Sequence, residues 1–150
     1  AICKTLHTLP ALRKLSVGAN RLGDRCMPHL AAAIEHCPTL KALDIFRNDL
    51  KSLDVFVPTV RAHPSLTHLD VNSNDLNDDA VLRFAQAVFD VHTRLWSLNT
   101  HKTGASSSTV SWINTKIRRL HGKRATAMCA FLRKRGFPKE LVRLLGDFLD

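Results

Sequence analysis

Three side chains near the middle of the sequence have the types that acid–base or metal chemistry needs. His68 and Asp70 stand two residues apart, and His101 follows 31 residues after Asp70. On adjacent strands about 4.8 Å apart, such a group can share a proton or hold a metal. However, eight His residues are scattered over 150 positions, so the grouping arises readily by chance. No nucleophile elbow, phosphate-binding Gly loop or H-E-x-x-H motif accompanies it. We therefore expect no catalytic residue, no metal site and no cofactor.

The cysteines and the charge distribution narrow the class of protein further. Cys3, Cys26, Cys37 and Cys129 have no C-x-x-C spacing, which predicts reduced, buried thiols. Residues 101–150 carry eleven Lys and Arg against three Asp and Glu, whereas residues 1–100 are nearly balanced. A basic region of this kind favours an acidic partner or a solvated surface. The chain shows no signal peptide, no Asn-x-Ser/Thr site and no membrane-spanning apolar run, so we expect an intracellular, cytoplasmic protein.

The elements that must position these residues are indicated by an internal repeat. The pattern L-x-x-L-x-L-x-x-N-x-L starts at Leu12, Leu40 and Leu66, with Val or Ile at the third apolar position. A fourth copy starts at Leu95 and then decays, because Thr103 stands where Asn is expected. The starts are 28, 26 and 29 residues apart. Fixed positions that recur at this period predict a repeat architecture in which stacked neighbours share one core.

This pattern resembles the leucine-rich-repeat family, and its long period resembles the ribonuclease-inhibitor-like class. The resemblance covers residues 1–103 and implies an α/β fold: a right-handed solenoid, or horseshoe segment. Each L-x-x-L-x-L is then a short strand with buried Leu residues, followed by a helix on the outer side. The side chains of Asn20, Asn48 and Asn74 are predicted to hydrogen-bond the turn after each strand as a structural ladder.

Helix signals follow each strand. The first helix begins near Gly23 or Asp24. The third helix begins at Asp78 or Asp79, and its predicted inward stripe is Val81, Leu82, Ala85 and Val88 or Phe89. The second connection contains Pro58, which predicts a helix that is short, bent or begins at that proline.

The family resemblance implies that a partner meets the concave face, which is formed by the outward strand residues. The predicted protein-binding residues are Lys14, Ser16, Asp44, Phe46, Arg47, His68, Asp70, Asn72, Asn99 and His101. Phe46 beside Arg47 is the pair most typical of an interface hot spot, and the alternative is that Phe46 packs on a neighbouring residue.

Residues 104–150 are predicted to form a basic, all-helical C-terminal cap. Three helical stretches are expected, over residues 110–120, over 124–134 and from Pro138 onward. Their cations form a possible anion or nucleic-acid patch: Arg118, Arg119, Lys123, Arg124, Arg133, Lys134 and Arg135. Residues 137–149 also resemble, weakly, the opening helix of an F-box, with Phe137 in place of the first Leu.

These observations favour a non-catalytic protein–protein interaction module, a scaffold or adaptor that binds its partner on the concave face. Two alternatives remain open. One is a nucleic-acid- or ribosome-associated protein that uses the basic helices. The other is a ubiquitin-ligase substrate receptor whose F-box-like C-terminal helix docks the ligase.

Overall fold

The computed structural model describes residues 5–6, 8–89 and 94–135, without the side chains of residues 132 and 133. Its centre is a parallel sheet of four three-residue strands: β1 (Lys14–Ser16), β2 (Ala42–Asp44), β3 (His68–Asp70) and β4 (Ser97–Asn99). The strands lie side by side in chain order, and the first residue of each strand is paired with the first residue of the next. The repeat units are therefore stacked in the register that the sequence pattern predicts.

The alternation of side chains along each strand separates a buried face from an open one. The central residue of every strand is a buried leucine: Leu15, Leu43, Leu69 and Leu98. The residues on either side of it point to the opposite face and are exposed or partly exposed, as the period of two in a strand requires. We call this second surface, with the residues of the turns that follow the strands, the strand face.

Helices on the buried side of the sheet complete each repeat. They are α1 (Gly23–Ile34), a 3₁₀ turn (Asp54–Phe56) that leads into α2 (Val57–Ala62), α3 (Asp78–Val88) and α4 (Ser107–Lys134). The predicted influence of Pro58 is confirmed, because it occupies the first turn of the short α2. Proline is tolerated there since the first amides of a helix have no acceptor within the helix. Asn77 caps α3 by accepting a hydrogen bond from the backbone N–H of Ala80 at 2.9 Å.

Two details of the predicted helices are wrong. The structure has one continuous helix over Ser107–Lys134 where two stretches were expected. A glycine inside a helix costs only about 1 kcal/mol relative to alanine, so Gly122 does not interrupt α4. In α3, Phe84 is fully buried and Leu82 is only partly buried. Phe84 therefore takes the place of Leu82 in the inward stripe, whereas Val81, Ala85 and Val88 are buried as predicted. The third predicted stretch, from Pro138, lies outside the described residues.

The predicted asparagine ladder is present, and it links neighbouring repeats. Asn48 is fully buried, and its Nδ2 donates to the carbonyls of Val17 at 3.1 Å and Ile45 at 3.0 Å. Its Oδ1 accepts from the backbone N–H groups of Asn20 at 3.1 Å and Leu22 at 3.2 Å. The amide therefore satisfies backbone groups of its own repeat and of the repeat before it.

Asn74 repeats this arrangement one step along. Its Oδ1 accepts from the N–H groups of Asn48 at 2.8 Å and Leu50 at 3.1 Å.

A second contact between repeats is made by aspartates in the first turn of a helix. Asp24 accepts from the N–H of Lys51 at 3.0 Å, and Asp78 accepts from the N–H of Ser106 at 2.7 Å. These hydrogen bonds fix the start of a helix in one repeat relative to the loop of the next repeat.

The cysteines divide between the core and the surface. Cys37 is buried and free, and burial raises the pKa of its thiol because it disfavours the thiolate. Cys26 is free and exposed on α1, so the prediction of a buried thiol is wrong there. Cys129 is partly buried, and Cys3 lies outside the described residues.

His63, at the end of α2, is a buried neutral ring. Its Nδ1 accepts from the backbone N–H groups of Ser65 at 3.2 Å and Leu66 at 3.1 Å. Burial lowers the pKa of His63, because the charged ring is poorly solvated there. The carbonyls of Ile34 and Cys37 and the carboxylate of Glu35 oppose this shift without outweighing it.

This shift predicts a loss of stability in mild acid. The unfolded chain binds a proton at His63 below about pH 6.5, the ordinary histidine pKa, whereas the folded chain binds it only at lower pH. Stability is therefore full above that value and falls as the pH drops toward the folded pKa. We expect His63→Asn to reduce the difference in melting temperature between neutral and acidic buffer. His29→Asn, at an exposed position, is the control, and an equal effect of both variants would contradict the assignment.

Candidate functional site

The strand face brings the predicted binding residues into columns that run across the sheet. One column is Lys14, Ala42, His68 and Ser97, and the next is Ser16, Asp44, Asp70 and Asn99. In the turns after the strands, backbone hydrogen bonds continue the same register from repeat to repeat. The N–H of Ala19 donates to the carbonyl of Phe46, that of Arg47 to Asn72 and that of Ser73 to His101. All ten predicted residues are exposed or partly exposed on this face.

The carboxylates of the second column are occupied by hydrogen bonds within the protein. Asp44 accepts from Ser16 Oγ at 2.9 Å and from the N–H of Phe46 at 3.2 Å. Asp70 accepts from the N–H of Asn72 at 2.9 Å and from Asn99 Nδ2 at 2.9 Å. The two acids therefore orient the turns after β2 and β3.

The proposed His–Asp–His grouping is not assembled as a metal site. His68 Nδ1 is 2.7 Å from Thr67 Oγ1, and Asp70 is occupied by its asparagine neighbours. His101 lies in the turn after β4, where its N–H donates to Asn99 Oδ1 at 3.1 Å. Across the residues that the structure describes, no three His, Cys, Asp or Glu side chains are close enough together to hold a metal ion.

Phe46 is the aromatic residue of the strand face. It is partly exposed, and its ring lies against Gly18 of the preceding repeat. A methyl group added at Gly18 would overlap two atoms of this ring. The ring therefore packs on a neighbouring repeat, as one of the two interpretations of Phe46 predicts, and it also remains partly accessible.

Because of this contact, Gly18→Ala should force the Phe46 ring out of its place. We expect a loss of about 1–3 kcal/mol in the free energy of unfolding, as for other overpacked sites. In a Phe46→Ala background the same glycine substitution should have little effect, because no ring remains to be displaced. Urea denaturation of the four variants measures this coupling. Equal losses in both backgrounds would show that the ring does not rest on Gly18.

The predicted basic residues lie along a single helix and point in several directions. At about 100° per residue, Arg119 and Lys123 share one side of α4, whereas Arg118 points elsewhere. Arg118 borders a groove beside β4, and Arg124 borders an apolar groove near Trp96. Lys134 and Arg135 are exposed at the end of the helix, and the side chain of Arg133 is outside the described residues.

Two grooves beside α4 were not predicted from the sequence. The first, which we call the end groove, has a volume of about 650 Å³ and lies between β4 with its turn and the first half of α4. The second, the Trp96 groove, has a volume of about 530 Å³, and its aromatic and apolar walls include Trp96, Met128 and Phe131. The ring of His121 lies 4.4 Å from that of Trp96, and burial lowers the pKa of His121.

The signals for these grooves were weak in the sequence. Trp96 lies directly before β4, and Met128 and Phe131 lie on α4 with about half of each side chain exposed. The end groove depends on backbone groups of β4, which residue types do not reveal. The F-box-like segment, residues 137–149, lies outside the described residues.

Comparison with known proteins agrees with the repeat architecture. The family described as Leucine Rich repeat matches residues 36–55 and 62–85. These segments contain β2 and β3 with the turns that hold Asn48 and Asn74. These matches support membership of the leucine-rich-repeat family.

One relative and one solved structure resemble particular parts of the chain. A Tonsoku-like protein of Danio rerio is 32% identical over 84 residues, which is 51% of this chain and 6% of that protein. The chain thus spans a small fraction of this relative. A solved structure of the Leiomodin-1 Actin-Binding Site 2 superimposes with a TM-score of 0.64 at 11% identity, covering 89% of this chain and 95% of that one. The similarity to the Leiomodin-1 structure shows a common fold.

Among the described residues, no helix has the length and apolar character needed to cross a membrane.

Proposed function

We propose that this chain is a non-catalytic protein–protein interaction module, a scaffold or adaptor that binds a protein partner on the strand face. In this proposal, residues 1–103 form a right-handed solenoid of leucine-rich repeats whose strand face is concave, and residues 104–150 form a basic helical cap. The observation that carries the proposal is the aromatic ring of Phe46, which lies against Gly18 in the turn that follows the in-register strand columns.

The chemistry of this face supports binding over catalysis. Aromatic and Arg side chains dominate the binding energy of protein interfaces, and Phe46 stands next to the exposed Arg47. A ring that is already packed loses little conformational freedom on binding. By contrast, the carboxylates of Asp44 and Asp70 are used to orient backbone turns. The Leiomodin-1 fragment is named as an actin-binding site, but the likeness to it concerns the fold, so actin is not the partner proposed here.

The proposal is tested by affinity capture from cell lysate, with and without nuclease, using the native chain, Phe46→Ser and Phe131→Ser. Phe131 is an exposed aromatic residue on α4 and is the matched control. Protein partners that survive nuclease, disappear with Phe46→Ser and remain with Phe131→Ser would support the strand face. Thermal unfolding of each variant must first show that it folds.

The opposite result identifies the alternative. Partners that are lost on nuclease treatment and are indifferent to Phe46→Ser would contradict the proposal and assign binding to the cations of α4. Such binding would weaken steeply with salt, because phosphate contacts release counterions. A ligase-docking role of residues 137–149 predicts instead a partner that is lost with Leu145→Asp and kept with Phe46→Ser.

A further inference from the structure

The sheet ends at β4, and the outer edge of this strand carries backbone donors without acceptors among the described residues. In each earlier repeat, the residue after the strand donates to the next strand: Val17 N to Asp44 O, Ile45 N to Asp70 O and Val71 N to Asn99 O, at 2.9–3.0 Å. The next position in this series is Thr100. Its N–H points along the same direction of pairing, where the described part of the chain places no further strand.

A second donor lies two residues further along the same edge. The N–H groups of Ala19, Arg47 and Ser73 donate to the following repeat at 2.7–3.1 Å. Lys102 is the equivalent residue of the fourth repeat and has the same left-handed backbone conformation, with a φ of 52°. Two donors that have no acceptor among the described residues, and that are separated by one residue, match the spacing at which a neighbouring strand pairs. An edge of this kind is a template for an added strand.

The end groove lies next to this edge and has space for a further segment of chain. Thr100 and Lys102 both border it, and Val110, Asn114 and Arg118 of α4 form part of its opposite wall. The residues that border the groove include two permanent cations, Lys102 and Arg118, together with His101, and no carboxylate. An occupant with acidic side chains is therefore favoured over a neutral or basic one.

We propose that the end groove binds an extended, acidic segment of a partner protein, which adds to β4 as a fifth strand. The carbonyl groups of the segment accept the N–H groups of Thr100 and Lys102. One set of alternating side chains enters the groove toward Val110, and acidic side chains pair with Lys102 and Arg118. The end groove shares Asn99 and His101 with the strand face but does not include Phe46, so this proposal does not depend on binding at Phe46.

Two other occupants are less compatible with these observations. Residues 136–150 of the same chain contain two Lys and Arg against three Asp and Glu, so they are nearly neutral, and their apolar residues follow helical rather than alternating spacing. A second copy of the chain would bring its own basic residues to a basic groove. Both occupants are distinguishable in solution from an acidic partner segment.

The first test is hydrogen–deuterium exchange of the backbone amides in the full chain, followed by NMR. The amides of Thr100 and Lys102 should exchange much faster than those of Ile45 and Arg47, which are at the same repeat positions but have acceptors. Protection of Thr100 and Lys102 in the isolated chain would show that its own residues cover the edge. Protection that rises with protein concentration would show a second copy. Either result would overturn the proposal.

The second test selects peptides from a random display library on the immobilised chain and on its Arg118→Glu and Arg119→Glu variants. Both arginines are exposed on α4, but only Arg118 borders the end groove. We expect selected peptides that alternate acidic with apolar or β-branched residues and that protect the amides of Thr100 and Lys102. Their affinity should fall about tenfold or more with Arg118→Glu, because a charge-assisted contact becomes a repulsion. Arg119→Glu and Phe46→Ser should have little effect.

Several results of this selection would contradict the proposed binding at the end groove. Selection of no peptide above background, or of peptides that bind equally after Arg118→Glu, would overturn the site. N-methylation of alternate backbone amides in a selected peptide preserves its charge and its carbonyls, removes the donors at those positions, and places a methyl group against β4 wherever the blocked amide faces that strand. If the methylated peptide bound as tightly as the original with either set of alternate amides blocked, the attraction would be electrostatic only, and strand addition would be excluded. A loss of binding to Phe46→Ser alone would assign these peptides to the strand face.

Discussion

Asn48→Ala should lower the free energy of unfolding by about 3–6 kcal/mol, because two buried carbonyls and two partly buried N–H groups lose their partner. Each buried group left without a partner costs about 1–3 kcal/mol. The Asn48 amide is fully buried and bonds to the carbonyls of Val17 and Ile45 and to the N–H groups of Asn20 and Leu22. Alanine supplies none of these bonds. Urea denaturation followed by circular dichroism measures the loss.

The matched control for this prediction is Asn20→Ala, at the same position of the first repeat. Asn20 is exposed, and its Nδ2 donates only to the carbonyls of Val17 at 2.8 Å and Gly18 at 2.9 Å. Water can replace these bonds, so we expect a loss of about 1 kcal/mol. Comparable losses for the two variants would show that the asparagine acts within its own turn. The larger loss at Asn48 would show that the bonds between repeats determine stability.

Phe84→Ala should be nearly as destabilising as Asn48→Ala, with a loss of about 3–5 kcal/mol, as is typical of a phenylalanine truncated in a core. Phe84 is fully buried on α3, in the core that the helices and the sheet share. Truncation leaves a cavity that the surrounding Leu and Val side chains fill only in part. Denaturant or thermal unfolding gives the magnitude.

Leu82→Ala is the informative comparison, because the periodicity of α3 places Leu82 on the inward stripe and the structure places Phe84 there. Leu82 is partly buried, so its truncation should cost about 1–2 kcal/mol. If Leu82→Ala were the more destabilising of the two, α3 would have to be rotated about its axis relative to the structure, and the packing described for the third repeat would be wrong.

The three complete repeats could be predicted from the sequence because each repeat has the same local requirements. The strand leucines must be buried, the turn requires a left-handed residue before the asparagine, and the asparagine must bond the neighbouring turn. Ala19, Arg47, Ser73 and Lys102 share this left-handed conformation although they have unrelated side chains. The turn geometry is therefore imposed by the stacking of repeats and not by glycine at those positions.

The candidate sites were less predictable, because they depend on distances between repeats. The columns of the strand face follow from the period, but the sequence does not reveal that Asp44 and Asp70 are held by Ser16 and Asn99. It also does not reveal that Phe46 rests on Gly18, a residue 28 positions earlier. Such contacts join residues that are far apart in the chain, and each requires the final register of two strands.

The sequence alone determined the family, the positions of the four strands and the asparagine ladder, since these follow from a pattern of apolar and amide residues that local geometry demands. Only the tertiary structure decided the continuity of α4, the orientation of α3 and the presence of two grooves beside α4. Helix interruption and rotation depend on small energy differences that packing outweighs. A groove is a space between elements, and its shape is set by where the backbones come to rest.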